Sequence, residues 1–205
     1  MKADEVKAIL KNLGFTLEDI KKLDLFLNLL LKFNNKYNLI SKNTEKEAWS
    51  RHILDSAQLV KFINFNKSDS LADLGSGAGF PGLILSIFNK NHKFHVKLYE
   101  KSRVKCDFLK TVINSLNIKC LVYENDYQSH ILDSGYIVSR AFKKLSEVIR
   151  ISREIATKSH KLIILKGKSA QEELNKLSKD LNYKYRLETS LTNKDSRVLI
   201  VNINK

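Results

Sequence analysis

The sequence predicts an α/β fold: a doubly wound, mostly parallel seven-stranded sheet with a helical N-terminal extension. Three observations predict it. The apolar period is helical through the first third of the chain and changes after Ser70, where short apolar runs begin to alternate with amphipathic stretches. Four of the seven glycines and the only proline fall between Gly75 and Gly82, directly after the first of those runs. The last two apolar runs have no helical stretch between them. They must therefore pair antiparallel, because a parallel pair needs a crossover connection.

Taken in order, residues 3–12 read as a short helix. Thr16, with Asp19 three residues on, caps a second helix whose Ile20, Leu23, Leu27, Leu30 and Leu31 recur at helical spacing. That stripe reads as helix packing rather than a partner groove. Thr44 with Glu47 forms a capping box and predicts one continuous third helix to about Ile63, carrying Trp49, Ile53, Leu54, Leu59 and Phe62. The sheet region then reads strand 71–74, helix 81–89, strand 94–100, helix 103–117, strand 119–124, a short turn or helix, strand 136–140, helix 144–157, strand 161–166 and helix 169–181. Two strands close the chain, near 183–191 and 197–203, joined by a turn at Asn193–Asp195. No repeat or low-complexity linker divides the chain. It reads as one domain, with 1–66 an extension packed on a 67–205 core. A seven-stranded sheet ending in such a hairpin resembles the Rossmann-like architecture of class I S-adenosylmethionine (SAM) methyltransferases.

Composition narrows the partners. The 205 residues carry 36 Lys+Arg against 22 Asp+Glu, a formal charge of +14, spread from Lys2 to Lys205. That is the electrostatic footprint of a nucleic-acid binder, although an AT-rich genome also yields chains rich in Lys, Asn and Ile. A hydrophobic content of 43% supports a real core and excludes a disordered basic tail. Asn28 and Lys32 interrupt the apolar run of the second helix, short of the ~20 residues a membrane span needs. Lys2, Asp4, Glu5 and Lys7 open the chain without the apolar block of a signal peptide. Cys106 and Cys120 form no C-x-x-C pair, which excludes a disulfide framework and a cysteine zinc site. The expectation is a cytoplasmic protein, a monomer, with no metal and no membrane.

The segment Leu71–Gly82, L-A-D-L-G-S-G-A-G-F-P-G, carries the chemistry. A strand ends, glycines turn the backbone, and Pro81 opens the next helix where its missing N–H costs nothing. Open α/β sheets bind ligands at this edge. Three ligands compete. Gly77, Gly79 and Gly82 formally satisfy the dinucleotide pattern G-x-G-x-x-G, with Glu100 about 20 residues on, but the pattern then ignores Gly75. Gly167-Lys168-Ser169 has the ending of a nucleotide phosphate loop, but Leu162 stands where its first glycine belongs. Asp73 followed by Gly75, Gly77 and Gly79 resembles the first motif of SAM methyltransferases, and this reading is preferred. There the acid orders the loop or meets the cofactor's amino group, and an acid ending the next strand, here Glu100, holds the ribose hydroxyls.

Further segments sharpen the likeness. N-L-I (Asn38 to Ile40) and R-H-I-L-D-S (Arg51 to Ser56) precede the loop. V-S-R-A-F (Val138 to Phe142) and L-K-G (Leu165 to Gly167) end later strands. Together they resemble the bacterial RsmG family, also called GidB, over nearly the whole chain and in order. The resemblance implies SAM-dependent methyl transfer to N7 of a guanine in small-subunit (16S) ribosomal RNA. It places cofactor contacts at Gly75, Phe80 and Arg140, and a further pair at Tyr127-Gln128, where relatives carry a small residue followed by Glu. Gln can still accept from the adenine amino group. Rival readings are a SAM methyltransferase of another substrate and a non-catalytic RNA-binding module.

Guanine N7 is a lone-pair acceptor without a proton, so no general base is expected and no catalytic residue is assigned. Catalysis would rest on positioning. Arg140 or Arg51 is expected to donate to guanine O6. His52, Lys166 and Arg197 complete the expected RNA contacts. Asp55 is expected as a partner for Arg51 one helical turn away, or as a substrate contact.

Overall fold

A computed structural model gives the fold; it describes residues 1–124, 129–176 and 184–205. The extension opens with α1 (Ala3–Asn12) and α2 (Leu17–Tyr37). The Thr16 capping box forms as its sequence implies. Thr16 Oγ1 accepts from the Asp19 N–H at 3.2 Å, and Asp19 Oδ2 accepts from the Thr16 N–H at 2.9 Å. Asn38, in the left-handed region at φ 48°, ends α2.

The expected third helix is a correction. The chain there breaks into α3 (Lys42–Glu45), a π-helical turn (Trp49–Leu54), α4 (Asp55–Ala57) and a 3-10 turn (Gln58–Phe62). Thr44 does not cap, because its hydroxyl donates to the Ser41 carbonyl at 2.7 Å and meets the His52 ring at 2.9 Å. His52, Ile53 and Leu54 are all buried in the π turn.

The sheet comprises β1 (Asp69–Leu74), β2 (Phe94–Glu100), β3 (Cys120–Glu124), β4 (Tyr136–Arg140), β5 (His160–Lys166), β6 (Tyr185–Thr189) and β7 (Arg197–Ile203). Between strands lie α5 (Gly82–Phe88), α6 (Arg103–Leu116), α7 (Leu145–Ile155) and α8 (Ala170–Asn175). The order is β3-β2-β1-β4-β5-β7-β6. The first five strands run parallel, and β7 lies antiparallel between β5 and β6. The antiparallel closing pair was legible in the sequence; its insertion beside β5 was not. The strand expected from residue 71 begins at Asp69, and the helix expected to 181 is described to Asn175.

Alternation along the strands divides the core. Leu71, Val96, Leu98, Val138, Ile163 and Ile200 pack with α1, α2, α5 and α6. Ala72, Leu74, Ile137, Leu162 and Leu199 pack with α7. Both faces are covered, so the strands read as nearly continuous apolar runs. Phe26 of α2 joins extension to sheet region, with ring centroids 5.3 Å from Phe80 and 6.3 Å from Phe108. No helix among the described residues is long and apolar enough to cross a membrane. The strand order reverses at β1, whose neighbours are β2 and β4. Ligand crevices in open sheets form at such a point, outside the carboxyl ends of the strands.

Candidate functional site

The glycine loop leaves β1 at that reversal. The N–H groups of Gly75 and Ser76 donate to the Tyr99 carbonyl at 2.9 and 3.1 Å, tying the turn to β2. Gly75 (φ 70°) and Gly77 (φ 58°) hold left-handed backbone that side-chain-bearing residues avoid. A Cβ on Gly75 would overlap the Phe142 ring, whereas one on Gly77 would meet nothing nearer than 3.8 Å. Gly77 is therefore the open crest of the loop. Gly79 packs on Leu83 and Leu109.

Two carboxylates underpin this backbone. Asp73 is fully buried, and its Oδ2 accepts the Gly82 N–H at 2.9 Å, fastening the start of α5. Its Oδ1 has no hydrogen-bond partner. Burial pushes its pKa up to about 7, against the pull of the Gly82 N–H. Glu100 accepts the Gly77 N–H on Oε2 at 2.9 Å and the Ser102 N–H on Oε1 at 2.8 Å. Both acids therefore order the loop.

Beside the loop, β4 ends in Arg140, whose side chain is 19% exposed. Its guanidinium donates to the Arg51 carbonyl at 3.0 Å and to His52 Nδ1 at 2.8 Å. It also lies 3.8 Å from Asp55 Oδ2 and 5.0 Å above the Phe80 ring. A guanidinium can only donate, so His52 Nδ1 carries the lone pair and Nε2 carries the proton. Nε2–H then donates to Thr44 Oγ1, which donates onward to the Ser41 carbonyl. Burial, with Arg140 and Arg51 nearby, lowers the His52 pKa to about 3, so the ring is neutral at physiological pH. Its face stacks on Phe80 with centroids 5.1 Å apart.

Asp55 corrects an expectation: Arg51 pairs with Glu47 at 3.5 Å instead. Asp55 Oδ1 accepts from Gln58 Nε2 at 2.9 Å and from the hydroxyls of Ser190 and Thr192 at 3.1 Å each. Burial raises its pKa against the pull of Arg140. No spacing in the sequence links Gln58 to Ser190, more than a hundred residues away; only the fold brings them together. The S-R-A-F segment also contains Ala141 and Phe142, to which the sequence assigns no role. Ala141 takes φ 49°, a strained backbone for a residue with a Cβ, and sits immediately after Arg140.

A cavity of ≈ 680 Å³ opens between the extension and the ends of β4 and β5, lined by Arg51, His52, Asp55, Arg140, Lys166 and Thr192 among others. Lys166 Nζ donates to Glu173 Oε2 at 2.8 Å and the Lys143 carbonyl at 3.0 Å. Arg197 turns back on the carbonyls of Lys194 and Ser196 and does not line the cavity. The structure thus gathers Arg140, Arg51, His52 and Lys166 around one opening, with Phe80 buried against Arg140 and His52. It keeps Asp73, Gly75, Gly77, Gly79 and Glu100 in the loop next to it. Tyr127 and Gln128 lie outside the described residues.

These residues fit SAM. An open glycine crest admits a ligand to the backbone, and a buried carboxylate with one unpartnered oxygen beneath it suits a cationic ligand.

The fold is shared with solved methyltransferases. A SAM-dependent methyltransferase from Aquifex aeolicus superposes with TM-score 0.57 at 14% identity, covering 75% of this chain and 91% of that one. An RNA methyltransferase from Salinibacter ruber in complex with S-adenosyl-L-homocysteine superposes with TM-score 0.54 at 13% identity, covering 73% and 90%. In sequence, the chain is 37% identical to Ribosomal RNA small subunit methyltransferase G of Pelagibacter ubique, over 96% of this chain and 93% of the relative. It is 36% identical to the protein of the same name from Rickettsia typhi, over 90% and 94%. The model of the GidB family, described as rRNA small subunit methyltransferase G, matches residues 19–200. That match spans the glycine loop and the Arg140 cluster, and the chain belongs to the GidB family.

Proposed function

We propose that the chain transfers the methyl group of SAM to N7 of a guanine in small-subunit (16S) ribosomal RNA. The observation that carries this reading is the open glycine crest at the reversal of strand order, beside a cavity lined by the guanidinium groups of Arg51 and Arg140. SAM, when bound, supplies an electrophilic methyl group. Asp73, Gly75, Gly77, Gly79 and Glu100 shape its seat, with Phe80 and Arg140 beside it, and the family resemblance adds Tyr127 and Gln128 as cofactor contacts. Nitrogen N7 of guanine needs no proton removed, and His52, neutral with both ring nitrogens engaged, has no base role to play.

Arg140 is the residue set to hold the guanine. Two of its five N–H donors are committed within the described residues, and donation from the others to O6 leaves N7 facing the methyl group. Arg51, exposed at the rim, and Lys166 meet RNA phosphate, with Arg197 at the outer margin. His52 serves the RNA indirectly, by holding Arg140. The whole chain acts as one methyltransferase unit. We read it as a cytoplasmic monomer, which two free cysteines suit.

The test is incubation with methyl-labelled SAM and, in parallel, small ribosomal subunits, naked ribosomal RNA and bulk protein, followed by digestion to nucleosides. Label in N7-methylguanosine is expected. Label in protein alone, or none in RNA from a chain that binds SAM, would discard the ribosomal reading.

A further inference from the structure

A second cavity, ≈ 470 Å³, lies at the opposite end of the sheet, between the extension segment 61–64 and the last three strands. Lys61, Lys161, Lys184 and Arg186 line it, and no carboxylate lines it among the described residues. The sheet register builds this cluster. Lys161 of β5 stands opposite Asn202 of β7, and the Asn202 N–H donates to the Lys184 carbonyl at 3.2 Å. Lys161 and Lys184 therefore flank Asn202 in one lateral row, about 10 Å apart across two strand spacings. Arg186 is two residues beyond Lys184 and opposite Ile200, so it shares their face. Elsewhere this face is apolar core, formed by Ile163 and Ile200. At its end it turns cationic.

Like charges gathered on one face of a sheet destabilise it. Internal partners offset this cluster only in part. Arg186 pairs with Glu188 at 2.8 Å and lies 5.5 Å over the Phe62 ring. Lys161 donates to the Phe62 carbonyl at 3.1 Å. Those contacts orient two of the four cations at the wall, while Lys61 and Lys184 stand exposed. An anion seated in the cavity would complete the charge balance. A guanidinium fork with lysines around a concavity suits phosphate.

We propose that this cavity is a docking site for the phosphodiester backbone of the RNA substrate, separate from the methyl-acceptor cavity. The two are joined by β7. Ser196, just before it, lines the acceptor cavity, and Asn202, near its end, lines the second. Six residues of strand span about 20 Å. A stacked strand covers that in roughly six nucleotides at ~3.4 Å each. One RNA therefore reaches both sites, and the distal one adds affinity and register without touching the reacting base. The proposal rests on the RNA reading above for the identity of the phosphate's carrier.

The test is a Lys61→Gln/Lys184→Gln variant of the full chain, both changes at exposed positions. Its control is Lys11→Gln/Lys36→Gln, exposed lysines of α1 and α2. Equilibrium binding to small-subunit RNA is measured across a salt series, together with SAM affinity, kcat and KM for the RNA substrate. The distal variant is expected to bind RNA on the order of tenfold more weakly, and its slope of log affinity against log salt to be shallower by about 1.4–1.8. KM should rise while kcat and SAM affinity stay unchanged, and the control should match the wild type. Unchanged RNA affinity and slope, or an equal change in the control, would overturn the docking site, as would a wild type that binds no RNA. A wild type that binds RNA but transfers no methyl group would defeat the methyl-transfer reading alone, since the binding series still decides the docking site.

Discussion

The glycine loop and the cavity beside it share one edge of the sheet and are built in opposite ways. The loop is twelve consecutive residues, Leu71 to Gly82, steadied by one acid from the next strand. Its working parts are backbone N–H groups and positive φ angles. The cavity is assembled from the extension, the ends of β4 and β5, and the turn before β7, and its working parts are side chains. On the proposed reading, a donor common to many methyltransferases is held by backbone conformation, which is local, and a particular acceptor is read by side chains, which only packing can bring together.

The comparison predicts which changes strike hardest. Gly75→Val puts a branched Cβ into the Phe142 ring at φ 70°. SAM affinity should fall at least about 100-fold and the melting temperature should drop, because a β-branched residue is strained at this φ and its Cβ must displace the Phe142 ring. Undiminished affinity in the folded variant, by calorimetry, would break the assignment of this loop as the donor seat.

Arg140→Met is next and strikes the cavity. It leaves Asp55 and the His52 lone pair buried without their cation, a loss of about 3–5 kcal/mol by denaturant titration, together with loss of methyl transfer.

Asp73→Asn separates the two regions by pH. The folded pKa of Asp73, about 7, exceeds its unfolded value, so the folded state holds more protons between pH 4 and 7. Wild-type stability then declines from this group as pH rises through that window. The variant removes the decline, so its melting temperature should gain on the wild type above neutrality and lose the advantage below about pH 4. Parallel curves would refute the buried acid. His52 has the opposite sign: its folded pKa is depressed, so its contribution is lost as pH falls below about 6.5.

Thr44→Val strands the His52 Nε2–H and should cost about 1–3 kcal/mol by denaturant titration; no loss would show that Thr44 does not hold the ring. Arg51→Ala is the mildest change. An exposed pair with Glu47 contributes about 0.3–0.5 kcal/mol, so stability should barely move while KM for RNA rises.

The loop was legible because its needs are local: glycine where φ must be positive, an acid at the strand end, proline entering the helix. The sheet was legible for a related reason, since period and connection length constrain strand pairing. The helix expected from Thr44 to Ile63 starts later and is irregular: the chain is helical from Ala48 to Phe62 through π and 3-10 turns, and Thr44, engaged with Ser41 and His52, does not cap it. Asp55 was assigned to Arg51 by spacing, but its partners come from Gln58, Ser190, Thr192 and Arg140. None of these except Gln58 lies within a helical turn.

By itself, then, the sequence determined the sheet, the loop and the family motifs, because hydrophobic period, turn chemistry and positive φ act over a few residues. Tertiary structure alone decided that β7 inserts beside β5, that His52 holds Arg140 rather than facing outward, and that Arg51 of the extension, Arg140 of β4 and Lys166 of β5 meet in one cavity. Those outcomes depend on which distant surfaces can bury one another, and no local spacing encodes that.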